Sequence, residues 1–87
     1  MTIQETLDER EGTHGSYEDQ ARTAQMIKAA IMIAPNWHEM EPCMRESLEF
    51  ISTKMSRLLH GDFTHADSWH DIAGYAQLVE KALEAGN

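Results

Sequence analysis

Two closely spaced pairs of acidic residues stand in the second half of the chain. Glu46 and Glu49 are three positions apart and Asp67 and Asp71 are four apart, spacings that place two side chains on one face of a helix. Carboxylate oxygens are preferred ligands of Mg²⁺, which often bridges one or two carboxylates to the phosphates of a nucleotide. The sequence therefore predicts a magnesium site formed by these four carboxylates. The alternative is solvated surface charge, with Asp67 completing a helix cap that begins at Thr64.

Three basic residues are candidates for contact with phosphate. Lys28, Lys54 and Arg57 carry ammonium or guanidinium groups, which donate charge-assisted hydrogen bonds to anionic oxygens. Lys28 stands in a mostly apolar run, where a purely structural role is harder to assign. The alternative for each is an ordinary surface ion pair.

The segment from His14 to Tyr17 reads His-Gly-Ser-Tyr and precedes a helical pattern. The free backbone N–H groups of a helix N-terminus favour an anion, and the Tyr17 ring offers a surface on which a base can stack. His14 and Tyr17 are therefore candidate ligand-binding residues. In the alternative, the segment is a capped helix start and Tyr17 packs on the core.

The remaining reactive side chains form no recognised motif. The five histidines lack the spacing of a zinc site, and the one cysteine, Cys43, has no base beside it in the sequence. A single cysteine also excludes an intrachain disulfide framework, which fits a reducing cytoplasm.

Composition restricts the partners that we expect. The 87 residues carry a formal net charge of −8, which disfavours direct binding to nucleic acid or to an anionic membrane surface. No apolar run approaches the ~20 residues of a membrane span. We expect a cytoplasmic protein that meets phosphates through a metal or a local basic pocket.

Apolar periodicity predicts an all-α protein with three main helices and a short N-terminal arm. Residues 1–15 form the arm and a loop, broken between Gly12 and Gly15, and residues 16–87 form one helical domain. The helices are expected over about Ser16–Ala34, capped by Ser16, over Pro42–His60 with Gly61 as the stop, and from Thr64 or His65 to Ala85.

The first main helix is apolar on nearly two faces, whereas a surface helix normally has one apolar stripe. Met26, Ala29 and Ile33 lie opposite the stripe expected to face the core on the first main helix. The last helix has a core stripe of Trp69, Ile72, Ala76, Val79 and Leu83, and also Gly74, which indicates close approach by a helix or ligand. We therefore expect a homo-oligomer that completes the helical bundle.

The chain resembles a family of small phage and prophage proteins of uncharacterised function. The resemblance covers about residues 14–83 and depends on His14-Gly15-x-Tyr17, Ile27-Lys28, Arg45-Glu46-Ser47-Leu48-Glu49, Lys54, Arg57, Gly61-Asp62 and Asp67-x-Trp69-x-Asp71-Ile72-x-Gly74-Tyr75-Ala76-x-Leu78. It implies a phage-related origin and a bacterial cytoplasmic setting, without an activity.

A looser resemblance is to MazG-like all-α nucleotide pyrophosphohydrolases, in which an E-x-x-E helix and a later E-x-x-D helix bind magnesium. Glu46-x-x-Glu49 matches the first motif, whereas Asp67-x-x-x-Asp71 departs from the second in its first residue and its length. The resemblance implies that Glu46, Glu49 and Asp71 hold the metal, with Asp67 supplementary. Lys54 or Arg57 would then meet the phosphates.

Three functions are consistent with the sequence. The first is a magnesium-assisted binder of a nucleotide or related phosphorylated ligand, with or without pyrophosphohydrolase activity. The second is a non-enzymatic phage inhibitor of host defence, which either sequesters a nucleotide signal or binds a host protein through its acidic and apolar surfaces. The third is an accessory helical bundle without a ligand.

Overall fold

Four α-helices and one short 3₁₀ helix make up the computed structural model of the protein, which describes residues 1–86. The helices are α1 (Ile3–His14), α2 (Tyr17–Met32), α3 (Pro42–His60) and α4 (Ala66–Ala85), and the 3₁₀ helix spans Trp37–Glu39. No strand occurs in these residues. The all-α class is therefore confirmed. Asn87, the last residue of the predicted 16–87 domain, lies outside the described residues.

The main helices begin and end close to the predicted positions. Proline at the first position of α3 lacks the N–H that a helix start leaves unpaired, and Gly61 follows the last turn, where its N–H donates to the Arg57 carbonyl at 2.8 Å. The side-chain cap predicted at Ser16 is wrong. Ser16 occupies the cap position of α2, but its hydroxyl makes no capping bond within the described residues.

The N-terminal arm is more helical than the sequence pattern indicated. We expected a break from Gly12 to Gly15, but α1 continues through Gly12 to His14. The helix ends only at Gly15, whose positive φ of 81° is readily adopted by glycine and is costly for other residues. α1 buries none of its residues, so it is an appended helix and not part of the core.

The junction between α1 and α2 contacts the junction between α3 and α4 at two glycines, Gly15 and Gly61. The backbone N–H of Asp62 donates to the carbonyl oxygen of Thr13 at 2.7 Å. A Cβ atom added at Gly15 would overlap the carbonyl oxygen of His60, and one added at Gly61 would overlap the carbonyl oxygen of Thr13. The absence of both Cβ atoms therefore allows the α1–α2 junction to lie directly against the α3–α4 junction.

α3 is the central helix and packs against both α2 and α4. Its buried residues include Ser47, Ser52 and Ser56, and the buried residue of α4 is Ser68. The hydroxyls of Ser52 and Ser56 donate to carbonyls of their own helix, each at 2.7 Å, so no partner is needed across the interface. These small side chains let the helices approach closely at little cost in polar burial.

The connector before α3 is held by Arg45. Its Nε donates to the Trp37 carbonyl at 2.9 Å, its Nη2 donates to the His38 carbonyl at 2.7 Å, and the guanidinium lies 5.8 Å from the centre of the Trp37 ring. Trp37 is buried and forms the buried apolar core together with Ala24 and Leu58.

The core stripe predicted for α4 is wrong for a single chain. Trp69 and Leu83 keep 55% and 51% of their surface exposed, Ala76 is exposed, and Ile72 and Val79 are half-buried. The spacing is helical, but within residues 1–86 α3 covers this side of α4 only in part. Gly74 also has open space where its Cβ would stand, so the close approach expected there is absent within the described residues.

The described helices do not include a membrane span. Within residues 1–86, none combines the length and the apolar character needed to cross a membrane.

Replacement of Gly61 by alanine should destabilise the fold, whereas the same change at Gly74 should not. Gly61 has a φ of −122°, which other residues adopt, so the cost of Gly61→Ala comes from overlap with Thr13 and should lower the free energy of unfolding by about 1–3 kcal/mol. Gly74→Ala should raise it by up to ~1 kcal/mol through helix propensity. Urea unfolding followed by circular dichroism measures both, and equal effects would contradict the proposed glycine contact.

Candidate phosphate-binding cavity

A cavity of about 230 Å³ lies where α2, α3 and α4 meet. α2 and α4 contribute one residue each, and α3 contributes the others: Lys28, Glu46, Glu49, Phe50, Thr53, Lys54, Arg57 and Tyr75. Five of these were singled out in the sequence as phosphate or metal ligands. The structure therefore brings residues from three separate helices to one cavity.

The helical repeat explains why α3 supplies most of the lining. Consecutive α3 residues of the lining are one or three positions apart, so they fall on one face of the helix. They are Glu46, Glu49, Phe50, Thr53, Lys54 and Arg57. The opposite side of α3 carries apolar residues, among them Leu48 and Ile51. Lys28 comes from the last part of α2, and Tyr75 comes from the middle of α4.

The cations of the cavity differ in their partners. Arg57 donates from Nε to the side-chain oxygen of Gln20 at 3.3 Å, and Lys54 forms an ion pair with Asp71 at 2.8 Å. Neither Lys28 nor Arg57 pairs with a carboxylate anywhere in residues 1–86. The surface ion pair considered for these two residues is therefore absent, and their charge remains available to an anion.

The Lys54–Asp71 pair fixes the charge state of the carboxylate. The hydrogen bond from Lys54 and its positive charge lower the pKa of Asp71 below its ordinary value. The Asp71 side chain remains 43% exposed, so water screens the pair and its contribution to stability is small. Asp71 thus carries a negative charge that offsets part of the charge Lys54 brings to the cavity.

The predicted carboxylates divide between the cavity and the surface. Glu46 and Glu49 line the cavity, Asp71 contacts Lys54 beside it, and Asp67 lies exposed in the first turn of α4. In the described part of the chain, no three His, Cys, Asp or Glu side chains form a group that could hold a metal ion. A metal here would thus be held by fewer protein ligands and would need others from the ligand.

An aromatic pair closes one side of the cavity. The rings of Phe50 and Tyr75 stack with their centres 4.8 Å apart and their planes 4° from parallel. Phe50 keeps 44% of its surface exposed, so part of this aromatic pair faces solvent. We did not assign either residue from the sequence, although Phe50 stands four residues after Glu46 and therefore belongs to the same helical face.

His14 and Tyr17 lie at a different cavity. This second cavity, of about 370 Å³, is lined by α1, by the start of α2 and by Arg57. His14 contacts His65 edge to face, with ring centres 5.6 Å apart, and Tyr17 is largely exposed. Since Arg57 lines both cavities, the predicted ligand-binding residues form two neighbouring groups that share one guanidinium.

Burial and nearby cations disfavour a charged His14. Burial lowers its pKa from the ordinary value of 6.5, and Arg57, His65, Lys54 and Arg10 lower it further. His60, by contrast, has a neutral partner, the Thr23 hydroxyl at 2.6 Å. Cys43 is exposed and lines neither cavity.

Comparison with known proteins gives no relative from which a function can be transferred. No family model, curated protein sequence or solved structure matches this chain.

Protonation of His14 should make stability depend on pH. Because its pKa is lowered in the folded chain, the unfolded chain binds more protons near and below pH 6.5, and the free energy of unfolding rises with pH. This contribution is complete above pH 6.5 and is lost as pH falls through the lowered pKa. Urea unfolding at several pH values should show a steeper acid loss for the wild type than for His14→Gln.

His38→Gln serves as the control, because the His38 side chain is exposed and lines neither cavity. If His14→Gln and the wild type lose stability in parallel on acidification, His14 does not resist protonation in the folded protein.

Proposed function

We propose that the protein binds a nucleotide or a related phosphorylated small molecule in the cavity between α2, α3 and α4. The observation that supports this most directly is the presence of Lys28, Lys54 and Arg57 around one cavity that a stacked aromatic pair also lines. Ammonium and guanidinium groups bind phosphoryl oxygens, and aromatic faces stack on nucleobases. These three cations supply positive charge that the acidic chain as a whole lacks, and Glu46 and Glu49 in the same lining offset part of it.

The size of the cavity favours partial enclosure of the ligand. Sites that enclose a small molecule measure about 300–1,000 Å³, and this cavity measures about 230 Å³. It therefore accommodates the phosphates or the base of a nucleotide, and the remainder extends outward. Arg57, which also lines the cavity near His14 and Tyr17, is placed to contact a ligand that extends in that direction.

In this proposal, magnesium accompanies the phosphates. Mg²⁺ usually retains waters and uses one or two protein carboxylates together with substrate phosphates, so Glu46 and Glu49 suffice on the protein side. When bound, the ion would offset part of the negative charge of these carboxylates and of the phosphate oxygens. Asp71 acts as the partner of Lys54. Asp67 does not line the cavity and is at most a supplementary ligand of the ion.

The position of Asp71 favours binding over catalysis. Hydrolysis of the MazG-like type depends on carboxylates from two helices around the metal, but Asp71 is engaged by Lys54 and Asp67 lies apart. We therefore place sequestration of a nucleotide, the non-enzymatic role expected of a phage protein in a bacterial cytoplasm, ahead of pyrophosphohydrolysis. Release of pyrophosphate from nucleoside triphosphates, lost on Glu46→Gln, would reverse this order.

Removal of the Lys28 charge should weaken binding of phosphorylated ligands. Lys28→Met keeps an apolar stem of similar length but loses the ammonium, so the affinity for ATP or inorganic pyrophosphate should fall by about 10- to 100-fold. Isothermal titration calorimetry with magnesium present measures this effect. Lys81→Met is the matched control, because Lys81 is exposed near the end of α4 and lines no part of the cavity.

If neither ATP, GTP nor pyrophosphate binds the wild type, or if both lysine variants bind as well as the wild type, the cavity is not the phosphate site.

The substitution Asp71→Asn separates its two possible roles. As the partner of Lys54, Asp71 reduces the attraction for an anion, so its neutralisation should tighten pyrophosphate binding without metal by about 2- to 5-fold. As a metal ligand, it should instead be needed for the magnesium-dependent part of the affinity. Calorimetry in chelator and in magnesium measures both parts, and a loss confined to magnesium would place Asp71 in the metal shell.

A further inference from the structure

An apolar groove lies between α3 and α4, separate from the phosphate cavity. It has a volume of about 320 Å³ and shares none of its lining with that cavity. Apart from one serine, its lining is apolar: Met40, Met44, Ser47, Leu48, Ile51, Ala76, Val79 and Leu83. No charged side chain lines it in the described part of the chain, although a quarter of all residues are charged.

The apolar residues of both helices repeat every 3.5 positions. On α3 they alternate by four and three residues, as Met44, Leu48, Ile51, Met55 and Leu58, and on α4 by three and four, as Trp69, Ile72, Ala76, Val79 and Leu83. This spacing is typical of helices that pack against further helices in a coiled coil or a four-helix bundle. Of these residues, only Leu58 is buried in the single chain.

The exposed area of the chain measures what is left uncovered. The chain exposes 6386 Å², whereas a folded monomer of 9.9 kDa is expected to expose about 5,200 Å². Part of this excess of roughly 1,200 Å² belongs to the appended helix α1, and exposed apolar residues of α3 and α4 such as Met55, Trp69 and Leu83 contribute to the remainder. A stable interface buries ~800 Å² of each partner. The Cα radius of gyration, 14.8 Å, likewise exceeds the ~12 Å of a single domain of this length.

We propose that a second copy of this chain covers the groove, so that two α3–α4 pairs form a four-helix bundle about a two-fold axis. The partner that completes such a bundle must itself present two helices with apolar residues at 3.5-residue spacing. The chain presents this surface, and two-fold self-association is the commonest form of oligomer. The proposal is independent of the phosphate site, because the two surfaces share no residue.

The charge of the chain determines how this association depends on salt. Each copy carries −8, so two copies repel one another at long range, while the groove itself brings no like charges into contact. Salt screens the repulsion and leaves apolar burial intact. Association should therefore tighten as the salt concentration rises, whereas an interface held by ion pairs would weaken.

Sedimentation equilibrium of the full chain, from low to high micromolar concentration, tests the proposal. We expect a dimer or a higher even-numbered assembly whose dissociation constant falls with added salt. A species that remains monomeric throughout this range would overturn the proposal and leave the groove to a different protein. Dissociation promoted by salt would also overturn it.

Two matched double variants locate the interface. Ala76→Glu with Leu83→Glu places charges in the groove, and Ala73→Glu with Leu78→Glu makes the same changes at exposed positions of α4 outside it. The first variant should weaken association by about 100-fold or more, and the second should not. If both variants associate as tightly as the wild type, or if both lose association to the same extent, the assignment of this face is overturned. Circular dichroism confirms that each variant stays helical.

Binding of pyrophosphate by the same variants keeps the two proposals distinguishable. A groove variant that becomes monomeric but still binds pyrophosphate leaves the phosphate site intact. A wild-type dimer that binds no phosphorylated ligand supports the proposed interface at the groove and contradicts the proposed phosphate site.

Discussion

The close contact between the α1–α2 junction and the α3–α4 junction is the constraint on which the arrangement of the helices depends. Gly15 and Gly61 have no Cβ, and the backbone of each junction therefore lies against the carbonyl groups of the other. The bond from Asp62 N–H to the Thr13 carbonyl joins them. Because α3 ends at this contact, the last turns of α3 are held beside α2, and Arg57 and His60 reach Gln20 and Thr23.

The small side chains between the helices have a consequence for function. Serines occupy much of the buried surface of α3, so the large apolar side chains are left on the outer faces and the single chain has a limited core. A chain of this size stabilises itself only marginally when it buries so little. The proposed second copy would bury the outer apolar face and leave the phosphate cavity accessible, since the two lie on different faces of α3.

Much of this architecture was accessible from the sequence. Apolar periodicity, Pro42 and Gly61 predicted the helix type and the bounds of α3, because those signals are local. Glu46 and Glu49 were also assigned to one face of α3, since their spacing in a helix makes them neighbours. The break predicted at Gly12 was wrong because a glycine lowers helix stability without necessarily ending a helix.

The sequence by itself determined the three main helices and the kinds of chemistry that their faces carry. The tertiary structure alone decided which faces meet: Lys28 joins the α3 cavity, His14 and Tyr17 lie at a neighbouring one, and Asp71 contacts Lys54 while Asp67 stays apart. It also decided that the apolar stripe of α4 is only partly covered. The physical reason is that periodicity shows which residues share a face, whereas crossing helices and the close glycine contact determine what that face packs against.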